Sequence, residues 1–220
     1  MKIDEESKRI ENLTELVEGE GQTELAKVLS VAEGNRQSAI EHLKGRPMTT
    51  QPMYDPQAVK PLREELTRVG MRELLTPEEV DAAFREQKGT VLLIVNSVCG
   101  CAAGGARPGA LLALQNKVIP DELTTVFAGM ERDAVERARG YLKGYPPSSP
   151  CIALFRDGEV ATILQRHDIE GRSPVEVAAA LTSAFDRFCT RPGPSIPREE
   201  FEKLAPQEIC GSQIPRFEQG

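Results

Sequence analysis

Apolar residues recur at three-to-four spacing through residues 1–46: Ile3, Ile10, Leu13, Leu16 and Val17, then Leu25, Val28, Leu29, Ala39, Ile40 and Leu43. The pattern predicts two helices broken at Gly19-Glu20-Gly21, a hairpin with little core of its own. Residues 45–57, GRPMTTQPMYDPQ, hold three prolines among polar residues, which is linker composition. From Pro56 the pattern tightens. Val59, Leu62, Leu66 and Val69 share one helical face that stops at Gly70. Thr76, Pro77 and Glu79 fit the N-cap, first and third positions of a second helix, with Gly89 beyond its end. TVLLIVNS is too short for a helix and lacks alternation, so it predicts a strand buried on both faces.

A small-residue helix is expected next, to about Asn116, then a strand in LTTVFAG and a helix in ERDAVERARGYLKG. The strand CIALFRDG should turn at Asp157-Gly158 into a second strand, EVATILQRH, and a last helix should start from a Ser173 N-cap with Pro174 at its first position. Strand, helix, strand, helix, hairpin, helix predicts an α/β fold: a parallel pair extended by an antiparallel hairpin into a mixed sheet, with helices on both faces. The tail from Thr190 has five prolines in thirty-one residues and room for one short helix near REEFEKL, so it is expected to be irregular, either wrapping the domain surface or staying mobile. The expected division is a helical N-terminal extension over 1–47, an α/β domain over 48–190 and a Pro-rich C-terminal tail over 191–220.

Composition narrows the function. The chain has 220 residues, 40% hydrophobic and 28% charged, so a packed core needs neither disulfides nor metal. A net charge of −7 with no Lys/Arg cluster argues against nucleic acid or an anionic membrane as the main partner. The acidic N-terminus has no apolar centre, and no apolar run approaches the roughly 18 residues of a membrane span, so the expected location is the cytoplasm. In a reducing compartment the five cysteines, Cys99, Cys101, Cys151, Cys189 and Cys210, read as catalytic, metal-binding or buried apolar residues rather than staples.

Cys99-Gly100-Cys101 carries the chemistry. A cysteine that leaves a buried strand and opens a helix sits where unpaired amides and the helix dipole favour a negative sulfur, and the thiolate is the attacking species in disulfide exchange. Cys99 is therefore the expected nucleophile. Side chains two apart on a helix diverge, so a bridge between them requires a bend that Gly100 permits, and the bridge should be readily reduced. The alternative class is a metal or iron-sulfur module in which Cys99, Cys101 and Cys151 bind zinc or a cluster, possibly across a homodimer. Filling of the sheet is favoured for Cys151, and core for Cys189; Cys210 is an outlying thiol in the tail. Arg107 is a candidate for the carboxylate of a small thiol, against simple exposure or local pairing. Arg166 and His167, at the end of the hairpin, are candidates for contact with a client or cofactor, against His167 simply pairing with Asp168.

Ser149-Pro150, directly before the CIALF strand, resembles the cis-proline that faces the active cysteine in thioredoxin-like folds, and would lend Ser149 and Pro150 to a bound chain. With VNSVCGCAAGGARP, TVFAG, PPSSPCIALF and RHDIEGR in order, residues from about Pro61 to Cys189 closely resemble the bacilliredoxin family. The resemblance implies a thioredoxin-like fold, no cofactor, and an enzyme that removes bacillithiol from S-thiolated client proteins. Cys99 would take the small thiol, and Cys101 or a second small thiol would resolve it. Gly100, Arg107, Ser149 and Pro150 would line the substrate. The extension and the tail lie outside the resemblance.

Overall fold

The computed structural model describes residues 51–85, 88–204 and 214–216. All lie in the second of the two units into which the chain divides, Thr49–Gly220. The hairpin predicted at 1–46 and Cys210 lie outside the described residues.

Helix α1, Pro56–Thr67, starts from Asp55, whose carboxylate accepts from the Gln57 amide, and buries Val59, Leu62 and Leu66. A two-residue strand β1, Arg72–Glu73, leads to α2, Pro77–Phe84, opened by the predicted Thr76/Glu79 capping box. Strand β2, Thr90–Asn96, is buried along its whole length. After it come a π-helical turn, Ala102–Ala106, and α3, Arg107–Ala113. The short strand β3, Val118–Ile119, precedes β4, Glu122–Phe127, and α4, Arg132–Tyr141. Strands β5, Cys151–Arg156, and β6, Glu159–Leu164, form the hairpin, with Asp157 and Gly158 both at positive φ as its turn requires. Helix α5, Arg166–Ile169, is a single turn, and α6, Pro174–Phe188, begins at the predicted Ser173 N-cap, which Glu176 completes into a capping box.

The main sheet has the order β1-β4-β2-β5-β6; β1 and β2 run parallel to β4, and β5 antiparallel to both β2 and β6. Alternate residues of β2 go to opposite cores. Leu92 and Ile94 pack with α3 and α6, whereas Val91, Leu93 and Val95 pack with α2 and α4. This mixed sheet covered on both faces is the thioredoxin-like α/β arrangement expected.

Two details differ from the expectation. The small-residue helix is not regular: Pro108 has no N–H for the carbonyl of Gly104, and the widened π turn lies immediately before it. Strand β6 ends at Leu164, because the Gln165 amide donates to Asp168 Oδ2 at 2.9 Å and caps α5, so Arg166 and His167 begin a helical turn rather than end a strand. The tail, for which wrapping of the surface is one of the two expected outcomes, is tied down in part. Strand β7, Arg191–Pro192, pairs antiparallel with β3, the single-turn helix α7, Arg198–Phe201, follows, and Ile196, Phe201 and Leu204 pack on the α3/α6 core. Ile214 is buried with Val98, Phe127 and Met130, next to the Cys-Gly-Cys turn.

Candidate active site

Parallel strands β2 and β4 end side by side, and an open cleft of about 690 Å³ lies beyond their carboxyl ends, with Cys99 on its wall. Cys99 and Cys101 are free thiols, each partly exposed. The amides of Ala102 and Ala103 donate to the Cys99 carbonyl at 3.0 and 3.1 Å. What stands next to Cys99 Sγ is the Ser97 hydroxyl, at 3.1 Å. Gly100 is exposed and Cys101 is already helical (φ −64, ψ −32), so a bridge to Cys99 requires that first turn to open at Gly100.

Burial pushes the Cys101 thiol up from its ordinary range and the neighbouring Cys99 charge adds to this, while the Arg166 guanidinium acts in the opposite sense. Arg166 lines the same cleft as Cys99, and charge on either sulfur favours its protonated form. The loop before β5 puts it there: Gln165 Nε2 donates to the Pro146 carbonyl at 2.8 Å, and the Arg166 amide donates to Ser148 Oγ at 2.9 Å. The Ser149–Pro150 bond is cis, as the resemblance implied, and Ser149 and Cys99 line the same cleft.

The family model described as disulphide isomerase matches residues 54–189, which contain all of these groups. The chain is 49% identical over 137 residues to a bacilliredoxin of Koribacter versatilis, an alignment covering 62% of this chain and 94% of that one. It is 51% identical over 138 residues to a bacilliredoxin of Geobacillus kaustophilus, covering 63% and 94% respectively. The chain belongs to the bacilliredoxin family. A thiol-disulfide oxidoreductase role follows from that membership.

The site of this family member departs from the sequence reading at Arg107. That side chain is fully buried, so no substrate carboxylate reaches it. Its Nε donates to Glu65 Oε2 at 2.8 Å, and its Nη1 donates to the Ser97 carbonyl at 2.9 Å and to Asn96 Oδ1 at 3.4 Å. Asn96 Oδ1 also accepts from the Ser97 amide at 2.8 Å. Arg107 thus ties α1, α3 and the end of β2 together beneath the turn that carries Cys99. The cue in the sequence is a lone charge amid the small residues of AAGGARPGA; nothing there points to Glu65, in another helix.

Cys151 belongs to the α2/α4 core, whereas Cys101 packs against the α3/α6 core on the other face of the sheet. Burial pushes the Cys151 thiol up to about 12. Among the described residues no three Cys, His, Asp or Glu side chains are placed to hold a metal ion, which deprives the three-cysteine metal reading of its geometry. Cys189 is buried at the end of α6. His167 is largely exposed beside Asp168, at 3.4 Å. Among the described residues no helix is long and apolar enough to cross a membrane. Ser97, Asn96 and Glu65 are the site residues that sequence reasoning missed; Ser97 abuts the motif, but only the turn after β2 brings its hydroxyl to the sulfur.

Proposed function

We propose that this chain reduces mixed disulfides between client proteins and a low-molecular-weight thiol such as bacillithiol, with Cys99 as attacking thiolate and Cys101 as resolving thiol. The observation that carries this reading is the position of Cys99 on an open cleft, with the Ser97 hydroxyl at 3.1 Å and the Arg166 guanidinium alongside. The Cys99 thiolate attacks the small-thiol sulfur of the mixed disulfide. A Cys99–small-thiol disulfide forms, and the client leaves as a thiolate that takes a proton from water. Cys101 then loses its proton, attacks Cys99 Sγ and expels the small thiolate, so two electrons have passed from the dithiol to the mixed disulfide. Gly100 supplies the bend for the second step. A second small thiol attacking the Cys99-bound sulfur closes the cycle by another route.

The test is single-turnover release of the thiol from a bacillithiolated client, with the adducts located by mass spectrometry. The unsubstituted protein should free the client and become bridged. Cys101→Ser should free the client and retain one bacillithiol on Cys99, and Cys99→Ala should release none. Full activity of Cys99→Ala overturns the assignment.

A further inference from the structure

The chain carries 34 acidic against 27 basic side chains, yet the cleft beside Cys99 is lined by three guanidinium groups, Arg132, Arg139 and Arg166, and by one carboxylate, Glu136. Arg139 stands out among them. It projects from the face of α4 that includes Val135 and lines the cleft, and its Nε is buried with no hydrogen-bond partner among the described residues. A buried charged donor left unpaired is costly, so an acceptor at this position is strongly favoured. Arg166 supplies a second cation to the same cleft, held only loosely by Glu170 at 3.8 Å on its exposed side. The volume of about 690 Å³ is that of a small-molecule site rather than of a bare thiol contact.

We infer that Arg139, together with Arg166, forms a carboxylate-binding subsite in the Cys99 cleft, which grips the low-molecular-weight thiol by an acidic group and turns that thiol's sulfur, not the client's, toward Cys99. The inference rests on the oxidoreductase reading above and adds to it the residues that hold and orient the small thiol. Guanidinium groups pair with carboxylates through parallel N–H donors, which fixes orientation as well as affinity. A neutral thiol of the same size gains nothing from the pair. Selectivity for the attacked sulfur follows, because an anchored small thiol presents its own sulfur to the wall of the cleft while the client chain lies outside.

The experiment uses pre-reduced full-length protein in excess, so that its own dithiol supplies the electrons, and one client capped either with mercaptosuccinate, a dicarboxylate thiol, or with neutral 2-mercaptoethanol. The mercaptosuccinate cap should be removed about tenfold faster or more, the scale of one charge-assisted hydrogen-bonded contact. Arg139→Gln should collapse that ratio toward one, Arg139→Lys should keep part of it, and added salt should shrink it. Arg137→Gln, which alters the side of α4 that faces Asp81 of α2, should keep the ratio. In the Cys101→Ser background, Arg139→Gln should shift the trapped species from the Cys99–mercaptosuccinate adduct toward a Cys99–client adduct. Equal removal of both caps by the unsubstituted protein, or a ratio unchanged by Arg139→Gln, overturns the subsite and leaves the oxidoreductase reading standing. Removal of neither cap overturns both.

Discussion

Two thiols one residue apart meet different surroundings, and in the proposed mechanism that difference sets the order of their chemistry. Cys101 packs against the α3/α6 core, and burial holds its thiol up; Cys99 faces the cleft beside Ser97. Once Cys99 carries the small thiol its charge is gone, but the desolvation at Cys101, the larger effect, remains. Closure of the Cys99–Cys101 bridge should therefore accelerate with rising pH up to a midpoint above that of an ordinary thiol, because the protonated form predominates below it. Arg166→Gln removes the cation that opposes this and should move the midpoint higher still. Loss of the Cys99 adduct by mass spectrometry over a pH series measures both. Of these residues the sequence shows the cysteines and their glycine plainly. It shows Arg166 only as a residue near a strand end, since its approach to the sulfurs depends on a loop pinned 2.9 Å from Ser148.

The small residues after the motif form a packing surface. A Cβ built on Gly109 would lie 2.6 Å from Val177 Cγ1 and 3.1 Å from the Pro174 carbonyl, so the absence of a side chain there lets α3 lie directly on α6. Five residues earlier a Cβ on Gly104 would meet nothing within 4 Å. Gly109→Ala should destabilise the fold by about 1–3 kcal/mol through overpacking, whereas Gly104→Ala should be neutral or stabilise it by up to about 1 kcal/mol. Urea unfolding of the two variants checks the contrast. Local signals served well for elements of this kind: the Thr76/Glu79 capping box, the Ser173 N-cap, the doubly buried β2 and the Asp157-Gly158 turn depend on neighbours in sequence. The two-residue strands β1, β3 and β7 carry no such signal, because each exists only through a partner strand well separated in sequence.

At the scale of the molecule, the Arg107–Glu65 pair joins two helices beneath the active turn and is almost wholly buried. Removing one partner leaves the other charge desolvated, so Glu65→Ala should cost about 3–5 kcal/mol, and Glu65→Ala with Arg107→Met should recover much of it. Chemical denaturation of the single and double variants decides whether the pair behaves this way. The same change releases the donor to the Ser97 carbonyl, so a slower transfer to Cys99 should accompany the loss of stability. Hydrophobic periodicity, capping residues and the Cys-Gly-Cys spacing determined on their own the order of the main elements, the mixed sheet and the choice of candidate sulfurs, because each rests on residues within a few positions of one another. Tertiary structure alone decided that Arg107 is buried and Arg166 stands at the sulfurs, that Cys151 lies across the sheet from Cys101, and that Arg139 enters the cleft. Those outcomes depend on which distant charges and surfaces the folded chain brings together, and side chains far apart in sequence acquire their burial and partners only when the sheet and helices pack.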